Sequence, residues 1–178
     1  MDDVFIKRLF SNFHDKRKLS LIKFGLISVF CDGGNIAFIL FVSVLLHQFL
    51  KTAVYVIVIS VLRPHTGGWH APTKRLCTVT YFLFYCSYLG LTSISLNSKT
   101  CIFVVVLCGC YMIAVSPIEH PYNPLSINER RINKNYVVIY VLLIVLSVFV
   151  SNNLLYINCV AISFLINTIN MALLRYNS

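Results

Sequence analysis

The chain has 178 residues, of which 58% are hydrophobic and 12% are charged, and its mean hydropathy is +0.79. A soluble domain usually has about 45–50% apolar and about 25% charged residues, so this composition excludes an ordinary soluble domain and predicts an integral membrane protein. The net charge of +9 does not indicate a nucleic-acid partner, because Lys and Arg accumulate on the cytoplasmic side of membrane proteins.

Residues 1–18 predict an amphipathic helix that lies on an anionic inner leaflet. Its apolar side chains fall near one helical face and basic side chains accompany them, although a plain cytosolic flank would have a similar composition. The apolar positions are Val4, Phe5, Leu9, Phe10 and Phe13, and the basic positions are Lys7, Arg8, Lys16, Arg17 and Lys18.

Six apolar segments follow this helix. A membrane-spanning helix needs about 20 residues, so the first segment is expected to tilt or to break at Asp32-Gly33-Gly34. The second segment is short, and it is expected to be re-entrant or to borrow residues from its neighbours. A short second span would hold the polar residues after it at or below the level of the lipid headgroups. The segments are residues 21–48, 50–62, 76–96, 101–115, 136–150 and 154–174.

Six crossings from a cytoplasmic N-terminus place residues 63–75, residues 116–135 and the C-terminus in the cytoplasm. Nearly all Lys and Arg residues then lie inside, and only Lys51 and Lys99 fall outside, as the positive-inside rule requires. We predict an all-α polytopic helix bundle that forms one membrane-embedded domain over residues 1–178. It would have about six transmembrane helices and cytoplasmic N- and C-termini.

A polar, basic island at residues 63–77 interrupts the apolar runs, and it is a candidate functional site because polar groups near a bilayer are costly. His70 and Cys77 lie seven residues apart in this island. A histidine can accept the proton of a thiol, and the thiolate is a strong nucleophile. Pro72 suits the first turn of a helix running to about residue 96, and a non-helical chain before it would let His70 fold back over Cys77.

The glycine pair in the island predicts a special backbone conformation. Gly67 and Gly68 can adopt dihedral angles closed to other residues, and their N–H groups could stabilise an oxyanion. An ordinary turn is the alternative interpretation of such a pair.

The charged and aromatic residues of the island have candidate supporting roles. Arg63, Lys74, Arg75 and the positive end of the predicted helix all favour a thiolate. Trp69 is expected to line a substrate groove or to anchor the island at the membrane interface. His65 is the weaker of the two histidines as a catalytic candidate and is expected to be positional.

A second polar segment covers residues 116–135, and its three prolines keep it extended. Glu119 could orient an imidazole or contact a basic substrate. The basic residues near its end could bind an acidic peptide, although anchoring by the positive-inside rule alone would also explain them. These residues are Arg130, Arg131 and Lys134.

Asp32 is an acidic residue within an apolar segment. Such a carboxylate usually faces the interior of a helix bundle and has a partner there. Arg63 or His70 could be that partner, and a break at Gly33-Gly34 would instead leave Asp32 solvated.

The sequence resembles the accessory gene regulator B family of bacterial membrane peptidases. The resemblance rests on Arg63, on Gly67-Gly68-x-His70 and on Cys77 seven residues further along. A Ser-Pro-x-Glu-His-Pro-x-x-Pro-Leu segment that begins at Ser116 and is followed by a basic cluster also matches. Chain length and the multi-span layout extend the likeness over essentially the whole chain, and Pro64 is a departure from the motif.

The resemblance implies a cysteine endopeptidase of the bacterial cell membrane that acts in quorum sensing, with its active site on the cytoplasmic side. Its substrate would be a small pro-peptide similar to accessory gene regulator D. Cys77 corresponds to the nucleophile, which attacks the precursor and releases its acidic C-terminal tail, and His70 corresponds to the general base. The acyl-enzyme thioester would then pass the peptide to an internal thiol or hydroxyl, which closes a thiolactone or lactone ring.

Further roles are implied by the same resemblance. Arg63 and Gly67-Gly68 match the supporting motif, and the basic cluster matches a contact with the substrate tail. A homodimer is expected, and neither a cofactor nor a metal is implied. A third catalytic residue has no clear match, so Glu119, Asn123 and Asp32 are only candidates for it.

Three other functions remain open from the residues. The chain could be a membrane thiol acyltransferase that carries a lipid acyl group on Cys77. It could be a metal transporter or sensor that uses His65, His70 and Cys77 as ligands, or a transporter of the peptide itself. Loss of a small peptide's acidic tail in vitro would separate the peptidase from all three.

Overall fold

The computed structural model describes residues 33–67, 74–118 and 125–177, without the side chains of Lys74, Arg75 and Cys77 or those of residues 174–177. The chain divides into two compact units, Met1–Phe38 and Ile39–Ser178. Residues 33–38 are the described part of the first unit, and they are helical. The amphipathic helix predicted for residues 1–18 lies outside the described residues.

Every regular element in the described residues is an α-helix, which confirms the predicted all-α class. Apolar residues dominate these helices, as expected for helices that meet lipid or one another. The helices are α1, described over Gly33–Leu45; α2, Phe49–Thr66; α3, Lys74–Thr92; α4, Ser98–Val115; α5, Ile127–Val150; and α6, Leu154–Asn177.

Three helices of the described residues are both long enough and apolar enough to cross a membrane. They are α4, α5 and the Leu154–Leu173 part of α6. Helices α2 and α3 have 18 and 19 residues, which is close to the length of a span, but they carry more polar side chains. The chain is therefore a membrane protein by helix length and composition, and the count of six crossings stays a prediction.

Helix α6 is the central helix of the second unit. In its apolar stretch 67% of the residues are buried, against 28% for α4 and 17% for α5, and it packs against α2, α3 and α4. Its amides bond to neighbouring elements: Nδ2 of Asn158 donates to the carbonyl oxygen of Ile94 at 3.0 Å, and Nδ2 of Asn167 donates to Sδ of Met112 at 3.2 Å. The first bond joins α6 to the connection between α3 and α4, and the second joins it to α4; polar bonds between helices help to hold membrane bundles together.

The apolar core lies where α2, α4 and α5 meet α6. Leu62, Met112 and Phe164 are among its fully buried side chains. Gly109 lets α5 approach α4 closely, because a Cβ atom at this position would lie 2.9 Å from Cγ1 of Val141. Small residues commonly permit such close contact between membrane helices.

Tyrosines attach α3 to α2. The hydroxyl of Tyr85 lies 2.9 Å from Oγ1 of Thr52, and the hydroxyl of Tyr88 donates to the carbonyl oxygen of Lys51 at 2.6 Å. The ring of Tyr55 packs against the ring of Tyr88, with their centroids 4.5 Å apart. Large rings with satisfied hydroxyls therefore fix the facing sides of these two helices.

Helix α2 is longer than the predicted second segment. It continues through Thr66, so the first four residues of the island are its last turn. The helix thus includes neighbouring residues, which is one of the two expected outcomes, and the length of any membrane span within it stays a prediction. Pro64 lies inside this turn. Proline has the φ angle of a helix but lacks the N–H that would bond to the carbonyl of residue 60, and the helix ends soon afterwards.

Helix α5 begins earlier than its apolar residues indicate. It starts at Ile127, so the end of the predicted loop at residues 116–135 is helical. The cause is a capping box. Oγ of Ser126 accepts a hydrogen bond from the N–H of Glu129 at 3.3 Å, and the Glu129 carboxylate accepts one from the N–H of Ser126 at 2.8 Å. Reciprocal bonds of this kind satisfy the free N–H groups of a first turn.

Candidate active site

Gly67 ends α2 in a conformation that only glycine adopts readily. Its φ is 75° and its ψ is 174°, a region that is strained for any residue with a side chain. Its N–H donates to the carbonyl oxygen of Arg63 at 3.2 Å. A Cβ atom on Gly67 would lie 2.5 Å from the carbonyl oxygen of Ile118, so both dihedral angles and available space require glycine here.

The island and the second polar segment meet at one end of the bundle. The N–H of Ile118 donates to the carbonyl oxygen of Thr66 at 3.1 Å, and Thr66 is fully buried. The prediction that both segments lie on the same side of the membrane agrees with this contact. A backbone hydrogen bond therefore joins the two regions that carry the candidate site residues.

His65 attaches the end of α2 to α5. Its Nδ1 lies 3.0 Å from Oδ1 of Asn133, and its ring packs against Tyr136 and Tyr140 with centroid distances of 4.8 and 5.7 Å. An amide oxygen can only accept a hydrogen bond, so Nδ1 is the donor. These contacts hold the His65 ring against α5, and its positional role stays a prediction.

Arg63 lies over an aromatic ring of α3. Its Cζ is 5.5 Å from the centroid of Tyr81, which is within the range of a cation–π contact. Residue 77 belongs to the first turns of α3 and precedes Tyr81 by four residues, which is one helical turn. The helix N-terminus also contributes a partial positive charge near residue 77.

The basic residues of α5 stand on an ordered helical turn. Arg130 and Arg131 are exposed, whereas Nζ of Lys134 donates to the carbonyl oxygen of Ala114 at 3.4 Å. A lysine at the last carbonyls of a helix stabilises that end, so Lys134 has a structural role in addition to its charge. The exposed arginines form a positive surface one turn from the Asn133 contact with His65.

The chain matches a model of one protein family over almost its whole length. The model is that of accessory gene regulator B, and it matches residues 3–171. The chain belongs to the accessory gene regulator B family. It is also 29% identical over 141 residues to Protein FsrB of Enterococcus faecalis, in an alignment that covers 77% of this chain and 58% of that protein. The chain thus matches somewhat more than half the length of this relative, and no solved structure matches it.

Several candidate site residues lie outside the described residues. They are Asp32, Gly68, Trp69, His70, Glu119 and Asn123, and the side chains of Lys74, Arg75 and Cys77 are also undescribed. The pairing of His70 with Cys77 therefore stays a prediction, as do the candidate third residue and the substrate groove. Arg63 and Gly67 are described, and each makes a specific contact with another helix or segment.

The structure adds residues that the sequence interpretation missed. Tyr81, Asn133, Tyr136 and Tyr140 contact the motif residues or their neighbours. The Ser-x-x-Glu spacing at Ser126 and Glu129 was a readable signal for the start of α5. Within the described part of the chain, no group of three or more His, Cys, Asp or Glu side chains could hold a metal ion.

Proposed function

We propose that this protein is a membrane cysteine endopeptidase that matures a small signalling pro-peptide in quorum sensing. Membership of the accessory gene regulator B family supports the biological role. The observation that carries the proposal is the meeting of the two polar segments through the bond between Thr66 and Ile118. This bond brings the turn before the motif histidine next to the segment that leads to the basic turn of α5.

The chemistry follows from the residue types at the motif positions. The Cys77 thiolate attacks the carbonyl carbon of the scissile bond after His70 has accepted its proton. The tetrahedral intermediate collapses, the C–N bond breaks, and His70 returns the proton to the leaving amine of the C-terminal tail. The product is a thioester that links the remaining peptide to Cys77.

Ring closure uses the energy stored in that thioester. An internal thiol or hydroxyl of the peptide attacks the thioester carbonyl and transfers its proton to His70, and Cys77 leaves as the thiolate. The peptide becomes a thiolactone or lactone without ATP. A site with little water would favour this internal attack over hydrolysis.

The basic turn of α5 would bind the acidic tail before cleavage. Arg130 and Arg131 are exposed at the end of the bundle where the island lies, and arginine binds carboxylates with two parallel hydrogen bonds. In this proposal the site faces the cytoplasm, the N-terminal helix rests on anionic lipid, and the protein acts as a homodimer.

Co-expression with the small open reading frame nearest the gene tests the proposal. Mass spectrometry of the peptide would compare wild type with Cys77→Ala and His70→Ala. Cys86→Ser is a matched control, because Cys86 is an exposed free cysteine of the same helix. A shortened peptide seen only with wild type and Cys86→Ser would support the proposal, and a mass lower by one further water would indicate ring closure.

Two results would contradict the proposal. Processing that persists in Cys77→Ala would exclude this residue as the nucleophile. An intact peptide in all strains, with folded protein present in the membrane, would overturn the peptidase proposal for that peptide and would favour acyl transfer.

A further inference from the structure

The Arg63 guanidinium packs against the ring of Tyr81, which is nearly buried. Only 6% of Tyr81 is exposed, and Cζ of Arg63 lies 5.5 Å from its ring centroid. A cation–π contact becomes stronger when it is shielded from water. The ring therefore restricts where the guanidinium can lie, although the tyrosine belongs to no part of the family motif recognised in the sequence.

The spacing along α3 relates this contact to the candidate nucleophile. Residues 77, 81, 85 and 88 are separated by four, four and three positions, so they share one helical face. Residue 77 is about 6 Å along the helix axis from residue 81, since each residue adds about 1.5 Å. The tyrosine whose ring the guanidinium contacts is thus one helical turn from residue 77.

The same face of α3 contacts α2, and these contacts fix the rotation of α3 about its axis. Tyr85 bonds to Thr52 and Tyr88 bonds to the carbonyl of Lys51, and both partners belong to α2, the helix that carries Arg63. The two anchored tyrosines keep this face directed at α2. Side-chain contacts between α2 and α3 therefore set the position of Arg63 relative to residue 77.

We propose that Tyr81 is a positioning residue that holds the Arg63 guanidinium close to Cys77, where its charge favours the thiolate. The inference rests on the proposed function, in which Cys77 is the nucleophile. A positive charge within a few ångströms stabilises an anionic sulfur and the oxyanion that forms after attack. Lys74 and Arg75 precede residue 77 in the same turns of α3, and His70 is the proposed base. The substitutions that test the proposal leave Lys74, Arg75 and His70 unchanged.

The proposed effect depends on the aromatic ring of Tyr81 and not on its hydroxyl. Tyr81→Phe keeps an aromatic face for the guanidinium, whereas Tyr81→Leu keeps only bulk. Arg63→Gln removes the charge itself. If the ring acts through Arg63, the double variant of Arg63→Gln and Tyr81→Leu will shift the pH profile of Cys77 alkylation no further than Arg63→Gln alone. The effects of coupled residues do not add.

Alkylation of Cys77 by iodoacetamide tests this without any peptide substrate. The full-length protein in detergent would be labelled over a range of pH, and mass spectrometry would quantify the fragment that contains Cys77. Tyr81→Leu is expected to raise the pH of half-maximal alkylation rate by about half to one unit. Tyr81→Phe is expected to match wild type, and Arg63→Gln is expected to match Tyr81→Leu.

Internal cysteines report whether each variant is folded. Cys86 and Cys110 are exposed, and Cys101 is buried, so labelling of Cys101 would reveal unfolding. If Tyr81→Leu unfolds, Tyr81→Met replaces it, and the same shift is expected. An unchanged profile in a folded variant without the ring, or an equal shift in Tyr81→Phe, would overturn the proposal, and so would an unchanged profile in Arg63→Gln. Failure of the proposed function appears separately, as peptide processing that does not need Cys77.

Discussion

The imidazole of His65 and the amide of Asn133 form a hydrogen bond across 68 residues of sequence, with Nδ1 and Oδ1 3.0 Å apart. The bond connects the last turn of α2 to the turn of α5 that carries the exposed arginines. Two tyrosines of α5 pack against the same ring. The proposed tail-binding surface is therefore attached to the segment that leads to the proposed catalytic histidine.

Removal of the His65 ring should weaken substrate binding more than the chemical step. His65→Ala loses the bond to Asn133 and both ring contacts, so the basic turn of α5 can shift relative to the island. We expect KM for the pro-peptide to rise about tenfold, equivalent to about 1.4 kcal/mol, with a smaller change in kcat. His65→Asn places an amide donor near the position of Nδ1 and should recover part of the loss. An equal loss in both variants, confined to kcat, would contradict this role.

Gly67→Ala should destabilise the protein and abolish most processing. The added Cβ would stand 2.5 Å from the Ile118 carbonyl oxygen at a φ of 75°, and such strain costs about 1–3 kcal/mol before any displacement of the backbone. Thermal unfolding in detergent would measure the loss.

The matched control for that substitution is Gly90→Ala. Gly90 lies in α3 with nothing within 4 Å of a Cβ atom, and alanine is the better helix former by about 0.5–1 kcal/mol. This control should raise the unfolding temperature or leave it unchanged. Equal behaviour of the two variants would show that the contact with Ile118 does not constrain residue 67.

Loss of charge from the basic turn of α5 should reduce affinity for an acidic tail. Arg131→Gln removes an exposed charge and should raise KM two- to fivefold, because an exposed ion pair contributes about 0.2–1 kcal/mol. The effect should shrink as salt is added, since ions screen exposed charges. Lys99→Gln is the control, because Lys99 is exposed in the first turn of α4, away from the basic turn. A similar rise in KM for Lys99→Gln would indicate a general effect of charge.

Loss of the capping box should loosen the first turn of α5. Ser126→Ala removes the oxygen that accepts from Glu129, and the loss of such a cap costs about 1 kcal/mol. Hydrogen exchange at residues 127–130 should become faster while exchange at the apolar end of α5 stays the same. Unchanged exchange in the first turn would mean that contacts with α2 and α4 are sufficient to hold it.

Hydropathy predicted where the helices are but not where they end. The predicted second segment stopped just before the charged residue Arg63, yet α2 continues to Thr66. The apolar part of α5 begins near residue 136, yet a cap at Ser126 starts the helix nine residues earlier. A helix in a membrane protein can extend into polar surroundings when its ends are satisfied, and a scale based on transfer to lipid does not detect this.

The motif residues could be selected from sequence, but their partners could not. The structure buries Asn158, Asn167 and Asn170 in the central helix, where Asn158 and Asn167 bond to residues outside it. Asn133 and Tyr81 carried no signal, because their importance depends on which residues of other helices lie opposite. Such contacts follow from packing, which a single sequence does not specify.

The junction between Thr66 and Ile118 uses only main-chain atoms, a carbonyl on one side and an N–H on the other. Its hydrogen bond therefore survives replacement of the Ile118 side chain by almost any other, with proline as the exception because it has no N–H. A change in the number of residues between the end of α4 and residue 118 would move the N–H away from its acceptor. This hydrogen bond thus constrains the length of the connection more tightly than the residue type at position 118.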